Sequence, residues 1–366
     1  MSIYDADNES ILASSDPGLL MNLILSAERV RLAHLGDEVY MRGLIEFSNI
    51  CRCDCYYCGL RSSNRAIRRY HLGMAEILAK CKEAERRGIY SIALQSGEIS
   101  TEKEVNFIAG LVSTIREFSL RNGSPGLGIT LSCGELNYSG YKKLFEAGAH
   151  RYLLRIETSD RELFQSIHPH EQLFERRLEC LDMLKDIGYQ VGTGIMIGLP
   201  GQSYRQLAMD LEFFARRNID MLGMGPYIPH PQTPLARSSQ PGISDSYTTT
   251  LKMLALARLK MPEINMVVST ALQTINKEGL IMGVRAGGNV IMPILTPEEH
   301  REDYTLYTDK HYKSLAQLER EIGLAGYRLA FNKWGDPRHY YTRLGLSYPE
   351  TPAAPAEIRA ASPFHT

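Results

Sequence analysis

Apolar positions along the chain first recur at helical spacing and then fall into short unbroken runs. From Pro17 to Leu35, the residues Leu19, Leu20, Leu23, Leu25, Val30 and Leu32 mark an apolar face, and Gly36-Asp37 breaks it, which predicts a first helix. From Val39 onward, short apolar runs alternate with amphipathic stretches such as GMAEILAKCKEAERRG and SYRQLAMDLEFFARRN. The runs cover 39–50, 91–95, 126–132, 152–156, 191–198, 221–227, 266–271 and 289–292. Continuous rather than alternating apolar runs are expected of parallel strands covered by helices. Eight such units predict an α/β fold, a complete (β/α)8 TIM-type barrel with an N-terminal helix and a C-terminal extension. A doubly wound open sheet is the alternative. After Pro293 the segment TPEEHREDYTLYTDKHYKS is polar, a helix is expected over 315–329, and YPETPAAPAEIRAASPFHT reads as a loose tail. The expected organisation is a helical segment over 1–36, one barrel over 37–345 and a Pro/Ala-rich tail over 346–366.

Composition agrees with a single enzyme-like unit. The 366 residues suit one barrel, a fold of about 250 residues that grows by insertion. A hydrophobic content of 44% and a formal charge of -1 leave no basic excess to recruit nucleic acid or anionic lipid. The opening MSIYDADNESILASSDPG lacks the basic and apolar regions of a secretory signal, and no later apolar run is long enough to span a bilayer, so a cytoplasmic location is expected.

Cysteine usage changes the picture. Of seven cysteines, four lie within CRCDCYYCGL and the others (Cys81, Cys133, Cys180) stand alone, unlike a disulfide framework. Reduced thiols that bind a metal or cluster fit better. Cys51, Cys55 and Cys58 fall just past the first expected barrel strand, on the face where barrel enzymes place their chemistry. Three thiolates are one short of a closed zinc site or a fully ligated cubane, so a 4Fe-4S cluster held by them keeps one iron open. The spacing C-x3-C-x2-C, with the aromatic Tyr57 directly before the last cysteine, resembles the signature of the radical S-adenosylmethionine (SAM) superfamily. That resemblance implies that the methionine moiety of SAM chelates the open iron. A zinc knuckle on Cys51, Cys53, Cys55 and Cys58 is the plainer alternative, but no second ligand pair follows and the four are cramped. Cys53 is then the extra thiol, expected to point away from the cluster.

Bound SAM needs polar partners at neighbouring strand ends. The second run ends in LQSGE, where Ser96-Gly97-Glu98 resembles the superfamily's Gly-Gly-Glu segment for the SAM amino group; an ordinary turn is the alternative. YLLRIET puts Arg155 and Glu157 on one face, and charges aimed into a barrel favour a ligand role. Arg177 in FERRLECL is a candidate for the SAM carboxylate and Met196 in GIMIGLPGQ for adenine, against the plainer readings of a solvated arginine and a core methionine.

The segments RGLIEFSNICRCDCYYCGLR, IALQSGE, ITLSCGE, RYLLRIET, GLPGQ, GMGPYIPHPQTPLA and AGGNVIMP together resemble the HydE-type maturase family of FeFe-hydrogenase, from Arg42 to Pro293. The resemblance implies reductive cleavage of SAM to a 5'-deoxyadenosyl radical and a substrate that is a cysteine-bound iron dicarbonyl cyanide unit. It implies a SAM site of Ser132, Glu157, Arg177 and Met196, and a cavity of Gln95, Thr130, Arg155, Ser269, Thr270, Tyr304 and Tyr307. Ser269 and Thr270 are expected at the end of the seventh strand, where their hydroxyls suit an anion or cyanide; strand packing is the plainer reading. Implied partners are an organometallic or amino-acid-derived small molecule, a low-potential donor of ferredoxin or flavodoxin type, and other hydrogenase maturation proteins. Many HydE-type maturases carry a second cluster on three C-terminal cysteines, yet no cysteine follows Cys180 here, so no ordinary cysteine-ligated second cluster is expected. A methylornithine synthase-like mutase and a non-enzymatic iron-sulfur scaffold are the rival functions.

Overall fold

A computed structural model describes residues 7–120, 125–307 and 312–348. The expected tail lies outside the described residues from 349 onward. The first helix runs Pro17–Leu35, as its punctuation demands: Asp16 caps it by accepting the Gly18 N–H at 2.8 Å, Pro17 stands where no donor is needed, and Gly36 turns out at φ 71. A short helix, Asn8–Ala13, precedes it and was not expected. Lys252 ties that helix down, donating to the carbonyls of Leu12, at 3.0 Å, and Ser14.

The strands are β1 (Glu38–Met41), β2 (Gly43–Ser48), β3 (Ser91–Ser96), β4 (Gly128–Ser132), β5 (Arg151–Leu153), β6 (Gln190–Thr193), β7 (Met196–Ile197), β8 (Met221–Pro226), β9 (Asn265–Val268), β10 (Val290–Ile291) and β11 (Arg328–Ala330). All pairings between them are parallel, along the path β11-β1-β10-β9-β8-β6-β5-β4-β3-β2, with β7 on β8. The path curls, because its far members β1 and β2 are separated in sequence by Arg42 alone. This parallel α/β architecture, with strands inside and helices such as Glu102–Ser119 and Tyr204–Arg216 between them, is the one the alternating runs foretold. Among the described residues no helix is long and apolar enough to cross a membrane.

Expected elements differ in extent: the run 39–50 divides into β1 and β2 at Arg42, the run 152–156 is strand only to Leu153, and three further differences have clear local causes. The helix expected over 315–329 is Leu315–Leu324; Gly326 at φ 84 breaks it, and Arg328–Ala330 instead extends the sheet beside β1. The seventh expected strand ends at Val268, because Ser269 caps a helix, Thr270–Ile275, by accepting the Leu272 N–H at 3.3 Å. The run 191–198 divides into β6 and β7 around Gly194, where a Cβ would lie 1.8 Å from the Gly223 carbonyl oxygen.

At the N-terminal ends of the strands, a late segment fills the floor. Arg151, fully buried, donates from Nε to Asp336 at 2.8 Å, from Nη1 to Ser91 Oγ at 2.8 Å and from Nη2 to the Trp334 carbonyl at 3.0 Å. Trp334 donates to the Gly126 carbonyl at 2.7 Å, and Asn265 to that of Gly335 at 2.6 Å. The arginine and its buried neighbour His150 hold the Asp336 carboxyl well below the usual carboxylate range, against the effect of burial. Asp336→Ala leaves the buried guanidinium uncompensated and is expected to cost about 3–5 kcal/mol, read as a lowered denaturant midpoint in equilibrium unfolding.

Candidate active site

The cysteine loop lies on the end of β3, and a missing side chain permits it. A Cβ on Gly97 would lie 2.3 Å from the Ile50 carbonyl oxygen and 2.6 Å from Cys51 Cβ, so only glycine fits. The Gly97 N–H donates to the Ser48 carbonyl at 3.0 Å and the Arg52 N–H to that of Glu98 at 3.2 Å, stitching loop to strand end. Ser96 Oγ donates to the Gly97 carbonyl at 2.7 Å. On the outer side Asp54 accepts from Arg61 Nε at 3.0 Å and the Ser63 N–H at 2.9 Å, and Arg61 holds its carboxyl below the usual range.

Cys51, Cys55 and Cys58 are partly exposed and unoxidised, a donor set suited to three irons of a cubane. Cys51 Sγ accepts the N–H groups of Glu98 at 3.3 Å and Cys53 at 3.4 Å; hydrogen bonding from Cys53 and Glu98 brings its thiol down despite burial. Burial, and then Cys58 and Cys51, push the Cys55 thiol up. Cys53, the extra thiol, has partners of its own. It is buried, donates from Sγ to Glu98 Oε1 at 3.1 Å and accepts from Gln172 Nε2 at 3.2 Å.

Beyond the neighbouring strand ends, charges of both signs interlock. Arg155 donates from Nε to both oxygens of Glu157 at 2.9 and 3.0 Å, and its Nη atoms reach the carbonyls of Gly223 at 2.9 Å and Ile195 at 2.7 Å. Glu157 sits at φ 65, a backbone conformation side chains avoid, and its N–H donates to the Gly194 carbonyl at 2.9 Å. Arg177, a buried helix residue rather than a solvated one, donates to Glu135 at 2.6 Å and to the Arg155 carbonyl. Glu135 outweighs the cost of burial and raises the Arg177 pKa. Glu98, expected to face the SAM amino group, is held by Arg52 at 2.8 Å and by Cys53.

Tyr57 and Met196 flank one apolar patch with Leu163, Ile167, Leu199 and Tyr227. The Tyr57 hydroxyl donates to His168 Nε2 at 3.2 Å; the ring is oriented because its Nδ1–H serves the Phe164 carbonyl at 2.8 Å, and burial, with Arg177 nearby, pushes its pKa down to about 3. Gln95 and Ser132 are register partners at the ends of β3 and β4, and Thr130 Oγ1 is buried without a hydrogen-bond partner. Tyr304 is buried among Glu46, Tyr70 and Gln95, and Tyr307 faces Thr274, Glu46 and Arg155. Ser269 packs on Gly225, where a Cβ would lie 2.5 Å from its Oγ. Thr270 opens its helix and accepts from Thr274 through its carbonyl at 3.0 Å.

Four contributors went unread in the sequence: Glu135, His168, Gln172 and Asp210. Asp210, fully buried, accepts the Ser159 N–H at 2.6 Å and so anchors the turn that follows Glu157. Glu135 stands within ITLSCGE, a segment already singled out, but its partner Arg177 lies far along the chain.

Known proteins resemble the chain in sequence and in fold. A family profile described as "Radical SAM superfamily" matches residues 45–214. The chain is 42% identical over 299 residues to the [FeFe] hydrogenase maturase subunit HydE of Thermotoga maritima, covering 82% of each. It is 28% identical over 322 residues to 3-methylornithine synthase of Methanosarcina barkeri, covering 87% of this chain and 86% of the relative. Among solved structures, methylornithine synthase (PylB) superposes with a TM-score of 0.76 at 23% identity, covering 90% of this chain and 96% of that one. The FeFe-hydrogenase maturase HydG from Carboxydothermus hydrogenoformans gives 0.75 at 20% identity, covering 88% and 75%. At those identities the two superpositions speak for the fold. The three-thiol loop on a curled parallel sheet, together with the profile, defines a radical SAM enzyme, a class that uses a 4Fe-4S cluster and SAM. Within that superfamily the chain belongs to the HydE-type maturase family.

Cys55→Ala is expected to lose the cluster and Cys53→Ala to keep it, read by iron content and electron paramagnetic resonance; loss in both variants overturns this division. Burial raises the Asp210 carboxyl from its ordinary 3.8 to about 7. The folded state therefore binds the extra proton between those values, and the stability it contributes is fullest below about 4 and lost as pH rises towards 7. Asp210→Asn is expected to flatten the pH dependence of the unfolding midpoint across that window.

Proposed function

We propose that this enzyme works as a HydE-type maturase on a cysteine-bound Fe(CO)2CN unit during assembly of the FeFe-hydrogenase active site. The observation that carries the reading is the 42% identity with HydE over 82% of both chains. When bound on Cys51, Cys55 and Cys58, the cluster and SAM supply reductive cleavage to methionine and a 5'-deoxyadenosyl radical. The protein's own residues bind, orient and enclose. Arg177 and Glu157 offer opposite charges for the carboxylate and amino ends of SAM, with Ser132 adding a hydroxyl. The Ser96-Gly97-Glu98 backbone brings the strand end close, and Tyr57 and Met196 form the wall for adenine. Arg155 locks Glu157 in one orientation through its two-point ion pair. Gln95, Thr130, Ser269, Thr270, Tyr304 and Tyr307 line the substrate side, and the burial of Thr130 and Tyr304, with the others partly buried, limits water near a reactive radical.

Complete closure of the (β/α)8 barrel belongs to the same reading. It is supported by Leu44, which bridges Ile294 on one side and pairs with Ala93 of β3 on the other. Residues 37–345 then form the catalytic unit, with the described residues 7–36 packed outside it. The enzyme is read as cytoplasmic, reduced by a ferredoxin- or flavodoxin-type donor and working beside other maturation proteins. A lysine mutase is the second reading, favoured by the 28% identity to 3-methylornithine synthase.

Reconstituted, dithionite-reduced protein is expected to cleave SAM to 5'-deoxyadenosine and methionine, and to form product with the iron-cyanide cysteine complex but not with lysine. No cleavage by protein with a confirmed cluster defeats the radical assignment. Turnover of lysine alone selects the mutase.

A further inference from the structure

Gln172 lies in the turn between helices Arg161–Ile167 and Phe174–Ile187, and its side chain reaches two cysteines at once. Its Oε1 accepts from Cys55 Sγ at 3.0 Å, and its Nε2 donates to Cys53 Sγ at 3.2 Å. The Gln172 N–H, donating to the Pro169 carbonyl at 2.9 Å, fixes the turn that presents it. We propose that Gln172 and Cys53 together form a hydrogen-bonding wedge that sets the reduction potential of the cluster. This rests on the reading of Cys51, Cys55 and Cys58 as its ligands.

Iron-bound Cys55 is a thiolate and has no proton to give, so an amide oxygen facing it becomes a repulsive contact. The two ends of a glutamine amide exchange places by rotation. Rotated, Nε2 donates to the Cys55 sulfur and Oε1 faces Cys53, whose S–H can then hold the amide in that orientation. Glu98, which now accepts from Cys53, keeps its ion pair to Arg52 at 2.8 Å when that thiol turns to Gln172. The backbone donors already on Cys51 make the same kind of contact on a second ligand. Donors aimed at cluster sulfurs favour the reduced, more negative state and raise its potential. Cys53 is therefore a positioning residue that acts through Gln172, which accounts for a fourth thiol within a three-ligand loop.

The test uses the full chain, reconstituted with iron and sulfide, and reads cluster content and midpoint potential beside SAM cleavage. Gln172→Leu is expected to hold as much iron as the parent, to shift the potential to more negative values and to slow cleavage about tenfold. Cys53→Ala shifts the potential in the same direction, and Cys53→Ser, which keeps a donor, restores it. Unchanged potentials in both Gln172→Leu and Cys53→Ala, with clusters full, overturn the wedge and leave the three-cysteine assignment standing. Loss of iron from Cys53→Ala overturns both. Should Gln172→Leu fail to fold, the Ala and Ser variants of Cys53 decide alone.

Discussion

The close approach of the cysteine loop to the end of β3 is the constraint on which the rest of the site depends. It requires a bare backbone at Gly97, because any side chain there would meet the Ile50 carbonyl and Cys51. Once the backbones touch, Glu98 presents its N–H to Cys51 and its carboxylate to Arg52 and Cys53. Position 97 thus determines where three thiols stand relative to the strand ends, although it carries no functional group itself.

Buried charge organises what lies around the loop. Arg155 with Glu157 and Arg177 with Glu135 are joined because Arg177 also donates to the Arg155 carbonyl. Such pairs add little net stability, but they are costly to break one side at a time. Their worth lies in direction: a side chain bound at both ends has few orientations left. Glu157 needs this, since its left-handed backbone is held by Gly194 and by the turn anchored on Asp210.

Local signals were legible in the sequence where local physics decides the outcome. Asp16, Pro17 and Gly36 bracket a helix, and unbroken apolar runs mark strands buried on both faces. The three-cysteine spacing was legible for the same reason, as a short-range pattern, whereas Arg155 and Glu157, expected as ligands on one strand face, lie past the end of β5 and pair with each other. Tertiary partners were not legible. The apolar periodicity after Ser314 carries through Leu329, and only the turn at Gly326 and the free edge of β1 convert its end into a strand. The surroundings of Cys53 come from Glu98 and Gln172, and the partner of Arg177 is Glu135; no spacing rule reaches across such separations.

The floor built from Trp334, Gly335 and Asp336 has a consequence for biogenesis. Synthesis proceeds from the N-terminus, so the cysteine loop leaves the ribosome long before the residues that neutralise Arg151. Until they arrive, Arg151 lacks the carboxylate that compensates it in the folded protein. Arrival of this segment, rather than formation of the sheet, is then the event that compensates Arg151 and completes the floor beneath the strands.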